Sequence, residues 1–535
     1  MVDGLVIGHC LFYFPDLCSQ SMSFLHPENR KIILLAFIGY VLLLVRHGYT
    51  FGWGDHAEIL PYISNLQDAT LYPKDFYVQH IKTIIPNVRW IFVHVLLPFY
   101  RVLEPTFFIL HALCTLLLLA GTLKIARING FSLFPAFAGL MTYLLIFYGK
   151  IPGGNDWYLN NFQAENIAFT AGIAALLFWF QRKFIWSYLL LSIGTLFHPL
   201  AGLQFFLLLT GLSLITKQWN SKAFFVYLLT GGVYFLLIFL NQGKPMPDEL
   251  PSYFDILFQF RQPHHSMPEY YPMIGWLLTG MFSLALWLKR KQAPALFKLM
   301  LLILPGALVY VMGVSFLHLT PVAQTQWFKT FALLFALGSM AGGDWIFGRL
   351  RIQLNKFSIP YPLLAAVTGL LLVSLIAFPG KNPLKKPMSI AGYHSDPLLI
   401  HCCEEISKKF PREALFVVPF ECDAFNHYSQ RSVYVSFKAV AHDARGMREW
   451  YHRIGQVYGL KTSDGGGYAL STKANQYYLS QLISHVNGMP IGFNADFALV
   501  KGKFFSENVV FENAGYQVIS LKTDRLYAQN FISSK

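Results

Sequence analysis

Apolar runs recur along this chain at residues 31–45, 105–123, 131–148, 165–181, 184–197, 200–216, 222–240, 272–288, 296–316, 326–347 and 359–378, separated in places by short polar turns such as KIARING and KRKQAP. About 20 apolar residues, with a range of roughly 17–25, span the hydrocarbon core of a bilayer as a helix. Lipid offers no partner to backbone N–H and C=O groups, so runs of this kind read as helices that satisfy their own backbone. The expected fold is therefore a polytopic α-helical membrane protein with about 11 transmembrane helices. Composition agrees: 54% of the 535 residues are hydrophobic and 13% charged, against about 25% charged in soluble chains.

The net charge of +14 does not point to nucleic acid, because Lys and Arg cluster in the short turns, as membrane topology demands. One run is ambiguous. Residues 88–104, VRWIFVHVLLPFYRVLE, hold Arg89, His94, Pro98 and Arg101 and read as a helix lying at the interface. With that assignment Arg30/Lys31, Lys124/Arg127, Arg182/Lys183, Lys217/Lys222, Lys289/Arg290/Lys291 and Arg349/Arg351/Lys356 share one side, expected to be the cytoplasm. The loops 46–104, 149–164 and 241–271 then face outward.

Residues 1–29 lack the basic start of a signal peptide and read as a peripheral segment. Residues 30–378 form the transmembrane domain, 379–387 a linker, and 388–535 an extracytoplasmic α/β domain in which helical and strand patterns alternate. Strands are expected at ALFVVPF, SVYVSFK and ADFALVKG, and helices at PLLIHCCEEISKKF, ARGMREWYHRIGQVY and TKANQYYLSQLISHV. Six Cys form neither a CxxC nor a zinc spacing; Cys403 and Cys422 are a pair that an oxidising compartment would allow.

The chemistry is concentrated in a few stretches. GDHAEILPYI places Asp55 and Glu58 three residues apart, on one face of a helical turn and near its positive end. A carboxylate at the mouth of a bundle is placed to act as general base toward a hydroxyl or amine, whereas Asp68 and Asp75 read as shaping the loop. GKIPGGNDWYLNNFQAENIAF brings Asp156, Trp157 and Glu165 together with Asn and Gln, a mixture suited to a carbohydrate or head group and equally to an aromatic belt. In GTLFHPLAGLQ, His198 stands between two short apolar runs, at a helix end or at a site of membrane depth. Lys329 lies just inside an apolar run, where a bundle-facing lysine would meet an anion. Arg261 sits in the third external loop with His264, His265 and Glu269, a weak metal set because adjacent histidines seldom share an ion. No GxxxxGK[ST] or GxGxxG phosphate loop, GxSxG elbow or HExxH pair occurs.

The layout carried by GDHAEILPYI…DATLYPKDF, GGNDWYLNNFQAENIAF and LFHPLAG, followed by a tail with ALFVVPFECDAFNHYSQRSVYVSFK…REWYHR, resembles the GT-C superfamily over about residues 30–535. Those proteins are membrane glycosyltransferases, and the tail is similar to those of uncharacterised bacterial membrane proteins with this layout. The resemblance implies transfer of a hexosyl or pentosyl group from a polyprenyl-phosphate sugar to an extracytoplasmic glycan, lipid or protein acceptor, by inverting displacement at the cytoplasmic (inner) membrane. Asp55 is the position matching the first-loop acid of the family, with Glu58 behind it; Lys329, with His198 and Arg261, would hold the donor phosphate. Some members use a divalent metal. His56 and Ala57 separate the two acids here where many members have a tighter pair, and no WWDxG-like motif of the oligosaccharyltransferases occurs. The alternative reading is a non-catalytic protein of lipid or polysaccharide export or assembly.

Overall fold

A computed structural model of the protein describes residues 26–243, 251–356 and 396–522, and the side chains of 26–243, 251–350 and 396–522. Residues 1–25 of the N-terminal segment, the expected span 359–378 and the linker 379–387 lie outside the described residues.

The helix Pro27–His47 leaves one end of a helical bundle, and the helix Leu103–Ile128 returns to it. Arg127 pairs with Glu28 there, and Lys124 Nζ donates to Asn29 Oδ1 at 2.9 Å. Other basic turns gather at the same end. Ser132 N–H donates to Asp344 at 2.7 Å, Lys289 pairs with Asp344, and Gln292 reaches the Gly130 carbonyl at 2.7 Å. The intervening residues 88–104 fold as a seven-residue helix, Trp90–Leu96, and a 3-10 turn, Leu97–Val102, that contains Pro98. Seven residues rise about 10 Å, a third of the roughly 30 Å hydrocarbon core, and the chain has returned to the same end when Leu103–Ile128 begins. This segment makes no crossing of its own.

Among the described residues, four helical stretches are long and apolar enough to cross a membrane: Trp90–Ile128, Ser221–Asn241, Pro294–Phe316 and Thr320–Leu350. Five further apolar helices, Leu133–Ile146, Ala164–Phe180, Phe184–Phe197, Pro199–Ile215 and Met273–Leu288, have 14 to 17 residues, or roughly 21–25 Å. Their outer faces are greasy. Leu308 and Val309 are about two-thirds exposed, at 66% and 65%, an apolar surface that water does not leave uncovered. Helices meet closely where small residues face each other: a Cβ at Gly139 would stand 2.1 Å from the Ser339 carbonyl oxygen, and one at Gly343 would stand 2.3 Å from that of Pro135.

The C-terminal residues form a five-stranded mixed sheet in the order β2-β1-β3-β5-β4. Strands β1 (Leu415–Val417), β2 (Ser432–Val433) and β3 (Phe497–Lys501) are parallel, and β5 (Tyr516–Ser520) runs antiparallel to both β3 and β4 (Val509–Asn513). Helices Pro397–Lys409, Ala444–Tyr458 and Ser471–Val486 occupy the stretches expected from periodicity. Cys402, Cys403 and Cys422 are free, buried thiols. This domain docks on the bundle end opposite the basic turns. The buried Asp75 carboxylate caps the helix Phe76–Ile81 through Val78 N–H at 3.0 Å and accepts Val433 N–H of β2 at 2.9 Å. Arg412 reaches Asp68 at 3.2 Å, His80 meets Asp443 at 2.7 Å, and Arg453 lies over the Phe76 ring.

The close approach at Gly139 leads to a stability prediction. Gly139→Val forces the helices apart and should cost on the order of 1–3 kcal/mol, read as a lowered melting temperature of the detergent-purified protein. Gly280→Ala, where a Cβ meets nothing within 4 Å, should leave that temperature unchanged.

Candidate functional site

The first long loop is shaped by two left-handed glycines, Gly52 (φ 79°) and Gly54 (φ 66°), a region open to glycine at little cost. The second delivers the chain into the helix His56–Gln67, with Asp55 at its N-cap. His56 fastens the loop: its Nδ1 accepts Gly52 N–H at 3.0 Å, and its Nε2 donates to the Phe162 carbonyl at 2.7 Å. Burial lowers its pKa to about 4, which keeps the ring neutral for both bonds.

Asp55 does not cap its helix. One carboxylate oxygen takes Arg89 Nη2 at 2.7 Å and the other takes Lys438 Nζ at 2.9 Å. Arg89 also donates to Glu58 from Nε at 2.9 Å and from Nη2 at 2.7 Å, and His442 stands 3.6 Å from the same carboxylate. Burial works to raise both carboxyl pKa values, but the charges and hydrogen bonds of Arg89, joined by Lys438 at Asp55 and His442 at Glu58, together outweigh it. Glu58 is brought down to about 2, and Asp55, with Lys438 also against it, lies well below the usual carboxylate range. Two carboxylates are thus matched by two cations, one from the loop and one from the C-terminal domain. Of the four, Asp55 is the most reachable among the loop-one residues: its side chain is 22% exposed against 9% for Arg89 and 2% for Glu58.

A second polar group lies nearby. Glu165, in the first turn of the helix Ala164–Phe180, takes Asn155 Nδ2 at 2.6 Å and faces Lys329 Nζ at 3.9 Å. Lys329 sits in a 3-10 turn opened by Gln326, a non-glycine residue at φ 43°, whose carbonyl and that of Thr325 are held by Gln204 at 3.0 and 2.7 Å. Strained backbone of this kind persists where its surroundings over-determine it. One Glu165 oxygen and the side-chain oxygens of Asn155 and Gln326 are buried with no hydrogen-bond partner, and buried polar groups are ordinarily paired. The field of Asp55 and Arg89 reaches Glu165, and the charges of Lys329, Arg89 and Asp55 all act on His198. The two groups therefore form one electrostatic site.

The remaining expected site residues fall differently. His198 caps the helix Pro199–Ile215, its Nδ1 accepting Ala201 N–H at 3.1 Å. Arg261 points its guanidinium at the tail: Nη2 donates to the Lys438 carbonyl at 2.7 Å, and the group stacks over Phe437. It thus positions the backbone that carries Lys438. Trp157 offers no ring face to a ligand. It is 1% exposed, stacked on Phe169, with its indole N–H on Thr122 Oγ1 at 3.2 Å. Asp156 stays outside the cluster and accepts Gly149 N–H at 2.7 Å, its pKa pushed up to about 7 by burial. His265 Nδ1 is bonded to the Gly153 carbonyl at 2.8 Å, and Glu269 is exposed. Among the described residues no group of three or more His, Cys, Asp or Glu is placed to hold a metal ion.

The residues that sequence reasoning passed over are Arg89, Lys438 and His442. Arg89 carried a signal, an arginine at the start of an apolar stretch; the other two lie far along the chain and carried none.

A family profile described as a domain of unknown function (DUF6798) matches residues 399–457, the segment that contains Lys438 and His442. No curated protein matches the chain.

Removing Arg89 strands the buried Glu58 carboxylate and leaves Asp55 with Lys438 alone. Arg89→Met should destabilise the protein by about 3–5 kcal/mol, measured as loss of melting temperature in detergent, with Arg89→Lys intermediate. The pH dependence follows from the depressed Glu58 pKa. Its contribution to stability is complete above about pH 4.5 and is lost as pH falls toward 2; Glu58→Gln should flatten the acid limb of an unfolding curve.

Proposed function

We propose that the protein is a GT-C-like membrane glycosyltransferase that moves a sugar from a polyprenyl-phosphate donor to an extracytoplasmic acceptor with inversion. The observation that carries this reading is the buried Asp55–Arg89–Lys438 cluster beside Glu165 and Lys329, at the bundle end opposite the basic turns. The positive-inside rule puts those turns in the cytoplasm, and hence the cluster and the α/β domain outside. The helix Phe331–Lys356 heads for the basic end, where Asp344 sits, while Pro397 starts beside the site. The reading counts about eleven spans, of which the expected one at 359–378 lies outside the described residues. Helices of 14 to 17 residues stop short of a full bilayer, so the site end is recessed within reach of a lipid-borne donor.

In this reading the acceptor hydroxyl attacks the anomeric carbon as the bond from that carbon to the phosphate oxygen breaks. The leaving phosphate keeps the electron pair, and Lys329 stabilises its charge, with His198 shaping the field; such preorganised charge is often the largest catalytic contribution. The hydroxyl proton goes to Asp55. A carboxylate held below the ordinary range is a weak base toward a neutral alcohol, so proton transfer comes late, once the attacking oxygen has become strongly acidic.

A second reading has its own support. Asp55 and Glu58 are both neutralised by cations, as in a brace that holds the tail on the bundle of an assembly or export protein.

Turnover with a panel of polyprenyl-phosphate hexoses and pentoses separates the two. The transferase reading expects turnover with one donor, a loss of about 10²–10⁴-fold in Asp55→Asn, and retained folding by size-exclusion chromatography. Full activity in Asp55→Asn would sink the role assigned to Asp55. Absence of turnover with every donor would favour the brace.

A further inference from the structure

The docking of the α/β domain on loop one leaves a cavity of about 490 Å³ between the two. That size lies within the roughly 300–1,000 Å³ of small-molecule sites. Its loop wall is Phe51, Gly52 and Trp53, and its domain wall comes from the start of the helix Pro397–Lys409, the segment after β1 and the helix Ser471–Val486. Trp53 is two residues from Asp55, and its ring is 39% exposed. Trp157 and Trp450, by contrast, are wholly buried.

The polar groups of the cavity are ordered in advance. Asp396 accepts the Tyr516 hydroxyl at 2.6 Å and Lys501 Nζ at 2.9 Å, and Glu421 accepts Asn475 Nδ2 at 2.7 Å. Among the described lining residues two carboxylates and one ammonium give a charge of −1, and that ammonium is paired with Asp396. This balance disfavours an anion. Fixed carboxylate and amide acceptors beside an open indole face and the aliphatic Leu399, Ile400 and Leu479 instead suit a molecule with hydroxyls along its edges and C–H faces above and below.

We propose that this cavity binds a neutral or amino-sugar saccharide and is the acceptor site. The assignment as acceptor site rests on the glycosyltransferase reading; the assignment as saccharide site does not. A saccharide stacked on Trp53 has its end directed along the loop toward Asp55. The left-handed Gly52 and Gly54 on either side of Trp53 hold that register, and Gly52 is pinned from the domain side, where a Cβ would stand 2.7 Å from the Tyr428 hydroxyl.

The test is direct binding by the full-length protein in detergent to an array of neutral, amino-sugar and uronic-acid oligosaccharides, followed by calorimetry on the best ligand. Neutral or amino-sugar ligands should bind and uronic acids should not. Trp53→Ala and Glu421→Gln should each weaken binding at least tenfold, while Trp53→Phe keeps most of it and reports an intact fold. No binding to any saccharide, equal binding of uronic acids, or unchanged affinity in both Trp53→Ala and Glu421→Gln overturns the proposal. Donor turnover is followed separately. Turnover that persists while saccharides fail to bind rejects this cavity alone, whereas binding that persists without turnover of any donor rejects the transferase reading and leaves the saccharide site standing.

Discussion

Arg89 is the point on which the outer half of this protein turns. Arg89 is 7% exposed, and burial makes an unpaired charge costly. It is tolerated because Glu58 takes two of its donors and Asp55 a third. The same contacts fix the geometry of the site. The helix His56–Gln67 is tied to the segment ahead of Trp90–Leu96, which in turn runs on into the helix Leu103–Ile128. Loop one is thus a rigid cap, clamped further by His56 to the carbonyl of Phe162. Rigid support of this kind is what positions a reacting group.

Helix length does the rest. A bundle built from full-length spans would present its polar loops well above the lipid. Here several apolar helices rise only about 21–25 Å, and the turns that carry His198, Asn155 and Lys329 come together at the end that carries loop one. There the side-chain oxygens of Asn155 and Gln326 have no hydrogen-bond partner, and the Glu165 oxygen that lacks one faces Lys329 at 3.9 Å. Polar groups left unpaired at depth are a cost to folding, and a polar ligand or ordered water that bonds them would remove it.

Much of this was legible in the sequence, for reasons that can be named. The helices of the bundle follow from unbroken apolar runs, and Ala444–Tyr458 and β3 follow from their periodicities. The Arg89, His94 and Arg101 charges marked 88–104 as unlike the other apolar runs, and the segment folds as a short helix and a 3-10 turn. The β4–β5 hairpin escaped because its turn places Ala514 at φ 51° before Gly515, where the usual signal is Asn-Gly or Asp-Gly, and because β4 is half-buried throughout. Trp157 was legible as an aromatic and not as a core residue, since only packing against Phe169 distinguishes the two. The pairing of Asp55 with Lys438 spans most of the chain, and no local pattern announces a contact of that separation.

That long-range pairing gives the C-terminal domain a chemical part in the site. With Lys438 in place, Asp55 and Glu58 are balanced by Arg89 and Lys438. Without it, two carboxylates would share one guanidinium at the edge of the membrane, and like charges in a low dielectric raise each other's pKa. The domain therefore supplies one of the two cations of the cluster, through a lysine whose backbone is itself held by Arg261 from the bundle side. The match of residues 399–457 to a domain of unknown function falls on the segment that reaches into the site, and the position of Lys438 within it ties that domain to the electrostatics of loop one.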